Sequence, residues 1–119
     1  MIVTNLLTLH NQLKIHHWQT KSYAEHQALG GTYDALTEQI DEFVEVFMGK
    51  YGRIESRDGF KIELSNYSDL GTVDFVNKYI NYLVEELPKS LEESDTDLLN
   101  IRDEMLGGLN KLKYLLTLS

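Results

Sequence analysis

Apolar residues recur along this chain at three- and four-residue steps in four blocks, the period of amphipathic helices. The first block, about Ile2 to Gln19, carries Val3, Leu6, Leu13 and Trp18. His10 and His17 complete an unbroken 3, 6, 10, 13, 17 stripe, so both are expected to face the core. His16 lies off that stripe and is expected to be solvated. Ser22 and Glu25 form an S-x-x-E capping box, which predicts a second helix from Tyr23. Its stripe of Tyr33, Leu36, Ile40, Phe43 and Phe47 runs to about Tyr51. Gly30-Gly31 interrupts it at about 1 kcal/mol per glycine relative to alanine, which predicts a kink or a close helix contact.

From Gly52 to Gly71 the pattern gives way to turn and polar residues, among them Arg57-Asp58-Gly59. Thr72 is the expected cap of a third helix with Val73, Val76, Ile80, Leu83 and Leu87 as its stripe, ended by Pro88. Ser94, Asp95 or Thr96 caps a fourth, with Leu98, Met105, Leu109, Leu112 and Leu116 at core spacing. Short links between helices one and two, and between three and four, predict two antiparallel hairpins. The middle connection of about 20 residues is long enough to cross a helix of about 27 Å. The expected architecture is therefore all-α: a four-helix bundle of two antiparallel hairpins joined by a long crossover, the ferritin-like connectivity. An up-down-up-down bundle is the alternative if the middle segment is only a loose loop.

Composition narrows the functional classes. The 119 residues suit one domain, 1–119, and 42% hydrophobic content is that of a globular protein. There is no cysteine, which excludes thiolate metal sites and disulfides. A formal charge of −8 argues against nucleic acid and anionic membrane as partners. No run approaches the roughly 18 apolar residues of a membrane span, and residues 1–10 lack a basic n-region before an apolar stretch. A cytoplasmic protein is expected.

The chemistry is concentrated in the first half. All four histidines, His10, His16, His17 and His26, fall within 17 residues. Asp34, Glu38, Asp41 and Glu45 follow at steps of 4, 3 and 4, on one helix face. Imidazole with carboxylate suits iron, manganese or zinc. Asp41 and Glu45 can clasp one ion from a single helix, and the hairpin brings His17 to His26. His26 and Asp41 are 15 residues apart on one helix, about 22 Å by helical rise. A joint site therefore needs a second chain, with helix two antiparallel to its copy and the two-fold axis near Asp34, giving two sites per dimer. The plainer alternatives are a polar histidine pair closing the hairpin, a solvated acidic face, and Trp18 as packing. His10 is expected to partner Tyr33 and Asp34.

His17-Trp18, His26 and Asp41-x-x-x-Glu45 resemble the mini-ferritins known as DNA-binding proteins from starved cells, over about residues 5–50. The resemblance implies an inter-subunit ferroxidase centre with iron ligands His17, His26, Asp41 and Glu45. It also implies a redox role for Trp18, oxidation of ferrous iron by peroxide or oxygen, and storage in a hollow homo-oligomeric shell. The chain departs from the pattern in one ligand: Gly30 stands where the family has an Asp, and Asp34, one turn on, is the remaining candidate. The loop between His17 and His26 is short and no lysine-rich tail is present, so DNA binding is not carried over. Two other classes stay open: a non-catalytic helical assembly protein, such as occur among short phage-encoded sequences, and a divalent-metal-stabilised dimer without redox chemistry.

Overall fold

Ser22 sets the start of the longest element: its hydroxyl accepts from the Glu25 amide at 3.2 Å, and helix α2 runs unbroken over Tyr23–Tyr51. In this computed structural model, which describes residues 1–118, α1 is Ile2–Gln19, α3 is Thr72–Asn81 and α4 is Thr96–Leu115. Ser119, the last residue of the expected domain, lies outside the described residues. The described residues contain no strand, and none of their helices is long and apolar enough to cross a membrane. The protein is all-helical, with four helices around one core that includes Leu6, Leu13, Leu36, Phe43, Leu98 and Leu109.

Contacts at the helix ends fix the directions. Lys50 at the end of α2 meets Asp97 at the start of α4, at 2.9 Å. Glu25 near the start of α2 meets Thr72 at the start of α3, at 3.0 Å. So α3 runs with α2, α4 runs against both, and α1 is antiparallel to α2 across a short turn. The connection from α2 to α3 must then return along the whole bundle. It leaves at Gly52, whose φ of 93° turns the chain out of the helix. It lies along α1 and passes through a short 3-10 turn, Tyr67–Asp69. At 1.5 Å per residue α2 is about 43 Å long, close to the longest molecular extent of 42 Å. The two hairpins and the long crossover are as expected; the loose-loop alternative is not what forms.

Several local expectations are corrected. The buried row of α1 is Ile2, Leu6, Leu9, Leu13 and His16, so His16 is in the core while His10 and His17 are only half-buried. Both rows satisfy helical periodicity and share Leu6 and Leu13; the crossover, packing on the face of residues 12 and 16, selects the other one. Trp18 is 64% exposed and does not pack in the core. Thr72 does not cap α3: it is the first helical residue, after Gly71, and its hydroxyl donates to Glu25. Val73 is exposed and Phe75 takes its place in the core. The α-helical part of α3 ends at Asn81, passing into a wider π turn, Tyr82–Glu86, and a 3-10 turn, Leu87–Ser90, that contains Pro88. Arg102 of α4 donates to the Leu83 carbonyl in that wide turn at 3.0 Å.

Candidate functional site

The first hairpin turns through Thr20, Lys21 and Ser22, so the last turn of α1 lies beside the first turns of α2. That places His17 and His26 side by side, with ring centroids 3.8 Å apart and planes 15° from parallel. Each ring donates from Nδ1 to the other residue's backbone carbonyl, both at 2.8 Å. A carbonyl only accepts, so both Nδ1 atoms carry the proton, and in the neutral rings both Nε2 atoms are acceptors. Neither Nε2 is a buried atom without a partner, so both reach solvent. Metal-binding imidazoles are usually held in just this manner, with one nitrogen tied to a carbonyl or carboxylate and the other left open.

Gly30 explains how the stack fits. A Cβ there would meet His17 Cε1 at 2.9 Å, closer than real side chains come, so the His17 ring fills the space above Gly30. The close contact expected of the glycine pair is therefore made by one member, without a break in the helix; a Cβ on Gly31 would meet nothing within 4 Å. The histidines open onto a groove lined also by Lys14, Trp18, Tyr33 and Asp34. Lys14 donates to the Tyr33 hydroxyl at 3.0 Å and lies 4.3 Å from the Tyr33 ring centroid and 5.2 Å from that of Trp18. Its charge sits over aromatic faces, where the ring quadrupoles favour it.

The carboxylates divide. Asp34 shares the groove with the histidine pair, while Asp41 and Glu45 lie farther along the exposed face of α2. Because α2 is continuous, the rise of about 22 Å between His26 and Asp41 stands. Among the described residues no three His, Asp or Glu side chains converge within one chain so as to hold a metal. His10 stacks on Tyr33, with centroids 4.2 Å apart, as expected, but its Nε2 donates to Thr37 at 2.8 Å rather than meeting Asp34. Burial and then the nearby Lys14 charge lower the His10 pKa, with Asp41 opposing.

Sequence reasoning missed two clusters. His16 Nε2 donates to the Leu70 carbonyl at 2.8 Å, and the Gln12 amide nitrogen lies 3.1 Å from its Nδ1. Gln12 also pairs with both backbone groups of Ser65 at 2.8 Å, and the Tyr67 amide donates to Gln19 at 2.7 Å. Residues 12, 16 and 19, at helical steps of 4 and 3, are thus the row that straps the crossover to α1. The second cluster is at the other end of the bundle, where buried Asp95 accepts from Lys50, the Tyr51 hydroxyl and the Glu92 amide. Asp95 was legible only as one of three cap candidates; its carboxylate turns back toward α2 and makes no side-chain cap hydrogen bond.

Fold and site together define an all-helical, four-helix protein with a pair of open imidazole nitrogens at one end of its first hairpin. The chain belongs to a family of unknown function, DUF5856, whose profile matches residues 17–116 and so spans the histidine pair and the α2 carboxylates. It is similar to an uncharacterized 14.6 kDa protein in the mobD-ri intergenic region of Enterobacteria phage T4. That protein is 28% identical over 107 residues, which are 86% of this chain and 74% of the relative. No solved structure matches the chain.

Proposed function

We propose that this protein is a ferritin-like, iron-binding homo-oligomer of the cytoplasm. His17 and His26 of one copy and Asp41 and Glu45 of another bind Fe(II), with Asp34 beside the histidines as a further ligand. The observation that carries the reading is the reciprocal Nδ1 bonding of His17 and His26, which fixes both tautomers and leaves two Nε2 lone pairs on one open groove. Two further features support it. The hairpin–crossover–hairpin connectivity is that of ferritin-like bundles. The uninterrupted α2 also presents Asp41 and Glu45 one turn apart at a distance only a second copy could bring to the histidines.

In this reading ferrous iron is the substrate. Imidazole and carboxylate ligands hold Fe(II) and stabilise the higher charge of Fe(III) as it forms. Two Fe(II) each lose one electron to a peroxide, which takes up two protons and leaves as water; oxygen is the alternative oxidant. In this reading Trp18, exposed on the same groove, supplies the second electron to the peroxide when only one Fe(II) is bound. Zinc or manganese would occupy the same ligands without the redox step.

Gly30 favours a second reading, a non-catalytic helical assembly protein. The His17 ring fills the space where a ligand side chain at residue 30 would stand, and the histidine pair closes the hairpin through its own two carbonyl hydrogen bonds. Anaerobic Fe(II) titration followed by peroxide or oxygen, on the wild type and on Asp41→Ala/Glu45→Ala, separates the two. The iron reading expects saturable binding, oxidation on adding oxidant, and loss of both in the double variant. No uptake by wild type would leave the assembly reading; uptake without oxidation would leave a metal-stabilised oligomer.

A further inference from the structure

Residues 60–64 of the crossover read Phe-Lys-Ile-Glu-Leu, apolar and charged in strict alternation. That two-residue period belongs to a half-buried strand. Yet among the described residues no backbone N–H or C=O of 60–64 bonds to another backbone group of the chain. Lys61 and Glu63 enter none of the chain's ion pairs among those residues. Phe60 and Leu64 are 44% and 42% exposed. The segment's C-terminal end is nevertheless pinned to α1 by the double bond of Ser65 to Gln12, and its N-terminal end follows a local turn closed by the Gly59–Ser56 bond at 3.0 Å. The segment carries free backbone groups and is tied down at Ser65, so little further entropy is lost on pairing.

We propose that residues 60–64 pair antiparallel with the same residues of a second copy, forming an intermolecular β-ladder across a two-fold axis at Ile62. The charge pattern selects this occupant and this register. Centred on Ile62, each Lys61 faces a Glu63, Phe60 faces Leu64, and Ile62 faces itself. Centring on Lys61 or Glu63 instead sets like charges opposite one another, and parallel in-register pairing sets Lys against Lys. The axis is separate from the one near Asp34 in the iron reading, so the two contacts together would carry assembly beyond a dimer. The ladder itself needs no metal.

The chain has no cysteine, so single-cysteine variants report the register directly. Ile62→Cys, Lys61→Cys and Glu63→Cys are oxidised in EDTA, each also in the Asp41→Ala/Glu45→Ala background. Opposed cross-strand Cβ atoms are about 4.5–5.5 Å apart, within disulfide reach, whereas diagonal neighbours are about 7–8 Å apart. Ile62→Cys should therefore form covalent dimer about tenfold faster than the other two, in both backgrounds. Equal rates, or no cross-linking at Ile62→Cys, overturn the proposal. Because Ile62 is half-buried, a second test uses the exposed charges: Lys61→Glu or Glu63→Lys should each weaken association about tenfold in sedimentation. The double swap should restore it. A double variant as weak as the singles, or a wild type that stays monomeric at every concentration, overturns the proposal. Dimerisation that persists in EDTA while Fe(II) binding fails would sink only the iron reading.

Discussion

The two ends of the bundle each gather polar side chains where α2 begins or stops, and they treat those groups in opposite ways. At one end Asp95 is sequestered, with Lys50, the Tyr51 hydroxyl and the Glu92 amide all donating to it. Those donors hold its pKa down to about 2, with Lys50 the largest cause, and the hydrogen bond to the Asp95 carboxylate raises the pKa of Tyr51. Three donors from within the chain meet the buried carboxylate, which is how a structural cluster avoids the penalty of a buried charge. At the other end His17 and His26 use one nitrogen each to lock the hairpin and present the other to solvent. The adjoining residue, His16, resembles the closed end: buried and bonded to the Leu70 carbonyl, it ties the crossover to α1. Neighbouring residues of one type thus differ in role because a single step along a helix turns a side chain by about 100°.

If closed clusters serve stability and the open pair serves binding, substitutions should separate the two. The largest expected effect is on the closed side. His16→Ala leaves the Leu70 carbonyl and the Gln12 amide short of a partner and should cost about 3 kcal/mol in urea denaturation. Rapid amide exchange across residues 60–71 should accompany it. A loss under about 1 kcal/mol would break the distinction.

Next is the open side. His26→Ala should weaken Fe(II) binding about 100-fold in anaerobic calorimetry. It should lower stability by only about 1 kcal/mol, the worth of one partly exposed hydrogen bond. A large stability loss with unchanged iron affinity would make the pair a hairpin clasp and nothing more.

Smaller again is the contrast between adjacent glycines. Gly31→Ala should stabilise by about 1 kcal/mol, because alanine is the better helix former and the new methyl group meets nothing. Gly30→Ala should show no such gain, since its methyl group must displace the His17 ring. Thermal melts of the two variants side by side test this; equal gains would mean that the ring moves freely and the stack is not fixed.

The least visible effect near neutral pH is the linkage at Asp95. Its folded pKa lies below the unfolded value, so its stabilising contribution is whole above the usual 3.8 and is lost as pH falls toward about 2. Denaturation midpoints across that window should fall less steeply in Asp95→Asn than in wild type. Parallel curves would show that the carboxylate does not control the acid limb.

Much of this molecule is legible in its residues, and most misreadings share an origin. Ser22-x-x-Glu25 marks the start of α2, although Glu25 does not close the capping box: its carboxylate takes hydroxyls from Tyr67 and Thr72 instead. A distant partner competing for Glu25 leaves no local trace. In α1, residues 3, 6, 10, 13, 17 and residues 2, 6, 9, 13, 16 are equally periodic, but the second row, with Leu9 where the first has His10, is the more apolar, and it is the one buried. Thr72 lies inside α3 rather than capping it because a distant partner competes here too: its hydroxyl goes to Glu25. The histidine pair was legible because one hairpin with a short turn leaves those two residues nowhere else to go, whereas Asp95 required knowing that α4 begins beside the end of α2.

Sequence alone determined the helices, the hairpins, the meeting of His17 with His26 and the separation of His26 from Asp41, because all of these follow from local periodicity, turn length and helical rise. Tertiary structure alone decided which nitrogens are tied and which are open, that Gly30 makes room for an imidazole ring, and that His16 is buried. Those outcomes depend on which elements pack against one another. Periodicity allows two faces of α1 that share Leu6 and Leu13, and the elements that pack on the helix bury the one carrying Ile2, Leu9 and His16.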